Sequence, residues 1–228
     1  MAVELLVPFR VVVDRVHYED LARHPYTPPN PDLHHRDETL SGIADPQLAL
    51  HLGHQGATWS TGGKIGISIP IGRTEPNPFE LGRQGLWHQH IQFGTGTWDP
   101  VLGFGVARSF GELSVEASAA ARLAFTDNEH GYRAGDRYAV RLLGAHKLGG
   151  SWGADGGFLY AHESAETWDG RVETEGNLGR SDLFVSLGVS RATAKRGALF
   201  LDVQIPVWSE STGEQVDSSL VVTFGWNF

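Results

Sequence analysis

SLVVTFGWNF, residues 219–228, ends the chain, with Leu220, Val222, Phe224, Trp226 and Phe228 alternating with smaller or more polar residues up to the last position. Period-two alternation marks a strand with one apolar face. An exposed strand of this kind templates aggregation unless something pairs with it. Closure removes the hazard. If the last strand pairs with the first, the sheet becomes a barrel without edges, and its outward aromatic stripe suits lipid better than water.

The same alternation recurs along the chain. In residues 5–14, Leu5, Val7, Phe9, Val11 and Val13 share one face while Glu4, Arg10 and Asp14 share the other. Pro46, Leu48, Leu50 and Leu52 alternate with Asp45 and His51, and Ile65, Ile67, Ile69 and Ile71 alternate with Lys64, Gly66 and Ser68. Further strands centre on Phe104, on 113–125 with Glu116 and Arg122 on the polar side, and on Val140 with Arg137 and Arg141 opposite. Others centre on Phe158 with Asp155 opposite, on Val185, and on Leu201 with Asp202 opposite. The count is about ten, an even number as in single-chain outer-membrane barrels.

Connection lengths give the topology. Links near 53–57, 109–112, 148–151 and 193–197 are short, whereas those near 17–40, 73–97, 126–136, 165–181 and 209–217 are long. Strict alternation of short and long links is expected when one barrel end bears tight periplasmic turns and the other extended external loops. The expectation is therefore an all-β fold, an antiparallel up-and-down transmembrane barrel forming one domain over residues 1–228.

Composition narrows the alternatives. No run approaches the roughly 18 consecutive apolar residues of a spanning helix. The chain has no cysteine, which excludes disulfides and thiolate metal sites, and its formal charge of −9 argues against nucleic acid as a partner while favouring cations at a pore mouth. No basic segment followed by an apolar one marks a secretory signal at Met1. An outer-membrane protein needs one, so the expectation is that it was removed or lies outside this chain. Membrane lipid and lipopolysaccharide, a small solute, and the barrel assembly machinery, through the strand ending at Phe228, are the expected partners.

A soluble lipocalin-like barrel would place the apolar face inside, and alternation alone does not say which face is which. Three features favour lipid outside: mixed-sign charges on the polar faces, aromatic residues near strand ends (Phe9, Trp59, Phe110, Phe125, Trp208, Trp226), and terminal Phe228. The residues expected to line the lumen are then Glu4, Arg10, Asp14, Asp45, Lys64, Glu116, Arg122, Arg137, Arg141, Asp155 and Asp202. Isolated charges in a narrow bore need partners or water.

DETLSGIADP at 37–46, HQHIQFGTGTWDP at 88–100 and VQIPV at 203–207 resemble the outer-membrane transporter-like barrels grouped as the Putative MetA-pathway of phenol degradation family. The resemblance runs over most of the chain. It implies an outer-membrane channel and hints at aromatic substrates. Members of that family usually carry further strand sequence ahead of the point where this chain begins, so either ten strands close here or about twelve close in a longer parent.

Two chemical constellations stand apart from the strands. His88 and His90 are two apart and face the same way if extended, and with His34 or His35 and Asp37 or Glu38 they would complete a nitrogen/oxygen site for a divalent metal at the external rim. The plainer expectation is a network that fastens loops to the rim. Ser114, Ser118, Ser186 and Ser190 lie on polar faces without clustered His or acid, and no G-x-S-x-G elbow exists, so an enzyme is not expected. The 94–97 stretch GTGT lacks the Lys and helix of a phosphate loop and reads as a bend before a strand.

Overall fold

In the computed structural model, residues 1–29, 36–193, 197–212 and 218–227 are described. The elements run β1 (Ala2–Leu6), β2 (Phe9–Asp14), β3 (Glu38–Ile43), β4 (Gln47–Gln55), β5 (Trp59–Ser68), α1 (Pro78–Arg83), β6 (Asp99–Phe110), β7 (Leu113–Arg122) and β8 (Tyr132–Arg133). They continue with β9 (Arg137–Gly149), β10 (Trp152–Glu163), β11 (Thr167–Trp168), β12 (Arg180–Ala192), β13 (Ala198–Ser211) and β14 (Val221–Asn227). Ten strands form one antiparallel sheet in the order β1-β4-β5-β6-β7-β9-β10-β12-β13-β14. Among the described residues the ladders run from β1 to β14, and none joins these two edge strands.

The faces are inverted relative to a soluble barrel. On the convex side Ile65 is 58% exposed and Phe224 73%, joined by Phe104, Val140, Leu142, Phe158, Leu187 and Leu201. Ser68, Asp99 and Ser186, on the concave side, are 0% exposed, and Asp182 is buried beside them. This arrangement excludes the lipocalin-like alternative, because burying these carboxylates while exposing the isoleucine would run against the hydrophobic effect in water. Small residues such as Gly103, Gly105, Ala120, Ala139 and Gly157 take many concave positions and leave space between opposite walls. Gly157 has no alternative, since a Cβ there would lie 2.0 Å from the Leu142 carbonyl oxygen.

Three boundaries differ from the sequence expectation. The first alternating run is two strands, because Pro8 cannot donate to a ladder; β1 pairs with β4, while β2 leaves the sheet to pair with β3. The long first link therefore carries a hairpin, with Phe9 opposite Ile43 and Asp14 opposite Glu38. The isoleucine strand stops at Ser68 ahead of Pro70, so Ile69 and Ile71 belong to the following link. Third, the long link at 73–97 contains α1. Asn77 caps it, its side-chain oxygen accepting from the amides of Phe79 at 3.1 Å and Glu80 at 3.2 Å, with Pro78 at the first turn.

The long links pack into a layer at one end of the sheet. Phe79 from α1, Tyr132 and Ala134 around β8, and Trp168 from β11 form its apolar core, with Tyr132 and Trp168 ring centres 4.8 Å apart. Trp168→Ala should remove about 3–5 kcal/mol of packing from this layer. Limited proteolysis is then expected to cut within 123–136 and 164–179 while the ten strands stay protected.

Candidate functional site

The concave face carries its charges as partnered groups. Glu4 on β1 accepts from Lys64 on β5, and its other oxygen lies 3.2 Å from Nε2 of His51 on β4. Those residues are brought together by register, His51 lying opposite Lys64 and Glu4 opposite Ala49. Farther round the sheet, Ser186 Oγ donates to Asp202 at 2.6 Å, Gln204 donates to the other Asp202 oxygen at 2.9 Å, and Arg141 lies 3.7 Å away. Asp155 sits over Gly188, where a Cβ would meet its carboxylate at 2.4 Å. Arg180 grips Asp182 with two nitrogens at 2.9 and 3.2 Å, while Ser209 donates to the same carboxylate at 2.7 Å. Opposite charges set side by side lower the cost of holding each of them away from water.

Two cavities follow this face. One of about 630 Å³ is lined by His51, Gln55, Ser60, Lys64, Glu116 and Ser118 towards the short-turn end. The other, of about 380 Å³, runs from Gln47 and Lys64 past Arg122, Arg137 and Glu163 to Arg180 and Asp182. Lys64 lines both, so the two spaces adjoin along the concave side.

Eight of the expected lining residues stand on this face: Glu4, Lys64, Glu116, Arg122, Arg137, Arg141, Asp155 and Asp202. Three stand elsewhere. Arg10 and Asp14 belong to the β2–β3 hairpin, where Arg10 lies 5.7 Å from the Phe93 ring centre and donates to the Gln92 carbonyl. Their displacement follows from the break at Pro8. Asp45 precedes β4 and is a buried anchor: its carboxylate accepts from the amides of Gly72 at 2.8 Å and Thr95 at 2.7 Å, with the Thr95 hydroxyl 3.1 Å away. Gly94 closes over it, because a Cβ there would lie 2.4 Å from Asp45 Oδ1. The bend expected at 94–97 is thus present, and it is locked to the rim through Thr95 and Thr97, whose hydroxyls donate onward to Asp99 at 3.0 and 2.7 Å.

The motifs at 37–46 and 88–100 meet at this rim. Gln89 donates to Glu38 at 2.7 Å, Arg36 lies 3.2 Å from Glu38 and 4.3 Å from the Trp87 ring centre, and Gly42 packs on Phe93. A family model described as Putative MetA-pathway of phenol degradation matches residues 4–222.

The chain belongs to that family.

No curated protein matches the sequence. Among solved structures, the crystal structure of an outer membrane channel from Pseudomonas putida F1 is similar, with a TM-score of 0.60 at 13% identity, over 83% of this chain and 66% of that one. The likeness is one of fold. This chain therefore spans about two thirds of that channel's length.

The imidazoles of the second motif stand together near α1. His88 is buried, with Nδ1 2.8 Å from the Leu86 carbonyl, and its ring centre is 5.1 Å from that of His90, which in turn lies edge-on to Phe79 at 5.4 Å. They border a cavity of about 550 Å³ between α1 and residues 173–175. Asp37 accepts from the Val16 amide, and Glu38 is held by Arg36 and Gln89. Among the described residues no three His, Asp or Glu groups cluster as metal ligands. His34 and His35 lie outside the described residues.

Ser186 sits between Arg141 and Asp202 without an imidazole, and the Ser181–His162 contact at 2.9 Å lies on the convex face with Tyr160 and Tyr138. The helix start at Asn77-Pro78 has a signature in the sequence, a capping Asn followed by Pro, whereas the anchoring role of Asp45 leaves no trace in a single strand's alternation.

Glu166, in the loop layer, accepts from the Trp168 indole at 3.2 Å and the Asn177 amide at 3.3 Å. Burial pushes its carboxyl above the usual carboxylate range despite those bonds, and burial likewise holds the Tyr132 phenol protonated. A carboxyl raised on folding stabilises the layer fully below its unfolded pKa and loses that contribution as pH rises through the folded one. Trp168 fluorescence should therefore show a transition above the ordinary carboxylate range in the natural chain. Glu166→Gln should abolish it and hold the layer at its acid-side stability.

Proposed function

We propose that the chain is a narrow, passive channel of the bacterial outer membrane that passes small solutes and favours cations. The observation that carries this reading is the inversion of the sheet, with apolar and aromatic residues on the convex side and partnered charges around cavities on the concave side. Hydrocarbon is the medium that accepts such a convex face. Family membership and the likeness in fold to a channel support the same reading.

In this reading the sheet closes with β1 beside β14, the short turns face the periplasm and the long-link layer faces outward. A family parent with more strands would close through them instead. Aromatic residues sit near both ends of the convex face, Trp59 and Trp152 by the short turns and Tyr138 and Trp208 by the long links, where headgroups meet acyl chains. Arg108 lies 4.9 Å from the Trp59 ring centre and Arg191 5.3 Å from that of Trp152, as expected for cations at a lipid interface. Cation preference arises from exposed carboxylates in the outer layer, such as Asp20, Asp127, Glu129 and Glu175, and from Glu116 in the bore. No chemical step is assigned to it.

Closure is tested by cysteine pairs, since the chain has none of its own. Leu5→Cys combined in turn with Val222→Cys, Phe224→Cys and Trp226→Cys should give an intramolecular disulfide in at least one pairing, and a set that stays reduced throughout would leave the sheet open.

Selectivity is tested in planar bilayers under a salt gradient. One unit charge near ~4 Å in a wet bore is worth about 1 kcal/mol, so Glu116→Gln should lower the cation-to-anion permeability ratio roughly fivefold. Asp45→Asn should leave the reversal potential unchanged while costing the rim about 1–3 kcal/mol through its lost acceptor. Equal ratios for natural chain and Glu116→Gln would remove Glu116 from the selectivity mechanism.

A further inference from the structure

Among the described residues, one guanidinium of the concave face makes no hydrogen bond. Arg122 on β7 lies directly opposite Arg137 on β9. Like charges so placed repel. Arg137 is answered on its other side by Glu163, which accepts from Nη2 at 3.0 Å. Arg122 has no such neighbour, for its partner across β6 is Val101. The carboxylate beside it is Asp99, whose Oδ2 is 3.8 Å from Nε, beyond hydrogen-bond reach. Both Asp99 oxygens already accept from Thr95 and Thr97. The Arg122 side chain is nonetheless only 17% exposed. A charge buried to that degree is costly without a hydrogen-bonded counter-ion.

The space beside it has a definite character. Arg122 and Arg137 line the cavity of about 380 Å³, whose neighbouring wall is Val101, Ala120, Ala139 and Ala161. We infer that Arg122 and Arg137 form an anion station in the bore that takes a small monocarboxylate with an apolar body. The guanidinium fork matches a carboxylate with two parallel hydrogen bonds, and the alanine wall receives the hydrocarbon part. A bound carboxylate also screens the Arg122–Arg137 repulsion. An occupied station neutralises that cationic patch, which reconciles it with a cation-favouring channel. Its part in flux rests on the channel reading; binding itself does not.

The test is calorimetry on the purified full chain in detergent, with benzoate and butyrate as probes and butylammonium as the opposite-charge control. The natural chain should bind both carboxylates and not the ammonium. Arg122→Gln should weaken benzoate tenfold or more, Arg122→Lys should recover part of the loss, and Glu163→Gln, which frees Arg137, should tighten binding. Heat-modifiable gel migration checks that each variant is folded, and the gain expected for Glu163→Gln cannot come from misfolding. Equal benzoate affinity in the natural chain and Arg122→Gln, or butylammonium binding as tight as benzoate, overturns the station. Benzoate binding without bilayer conductance would retire the channel reading and keep the station, and conductance without benzoate binding would do the reverse.

Discussion

A sheet that turns its apolar side outward must answer every inward charge from within its own concave surface. Where such a group is buried, a lone carboxylate or guanidinium is costly. Ladder register does most of the answering: His51 stands opposite Lys64 with Glu4 one strand away, and Arg137 stands opposite Glu163. Where register alone fails, hydroxyls fill in, as Ser186 does between Arg141 and Asp202 and Ser209 does on Asp182. Glycine and alanine at many of the remaining concave positions keep that side from filling with side chains, so one constraint shapes both charge pairing and the open space beside it.

The outer layer answers a different demand. Long links at one end would leave backbone groups and the strand ends unsupported. Here they are tied down by Asp45, which gathers the amides of Gly72 and Thr95, and by the relay from Thr95 and Thr97 to Asp99 at the start of β6. Phe79, Tyr132 and Trp168 give the layer a small apolar core of its own. The result is a preorganised entrance, whose geometry is set by polar contacts at the rim and by ring packing above it.

The residues that mark the family belong largely to this entrance. Glu38 with Gln89, Gly42 with Phe93 and Asp45 with Thr95 all join the first motif to the second across some fifty positions of sequence. Their pairing explains why short, glycine- and aspartate-rich stretches carry a resemblance: each glycine is a close approach and each acid a set of hydrogen bonds.

Alternation by two was enough to give the strands, their number and the lengths of their links, because a pleated strand writes its two faces directly into the chain. It also separated the eight charged residues that share the concave side. It did not show that Pro8 divides the first run, which moved Arg10 and Asp14 onto a side hairpin, because a proline's missing donor matters only once the competing ladders are known. Nor could it say which face meets the interior: Leu48 and Ala49 alternate equally well either way, and only curvature of the whole sheet buries one and exposes the other. Asp45 as anchor and Arg122 as the unanswered cation are likewise facts of tertiary structure, since a carboxylate's role depends on which amides arrive beside it and a guanidinium's need depends on which partners do not.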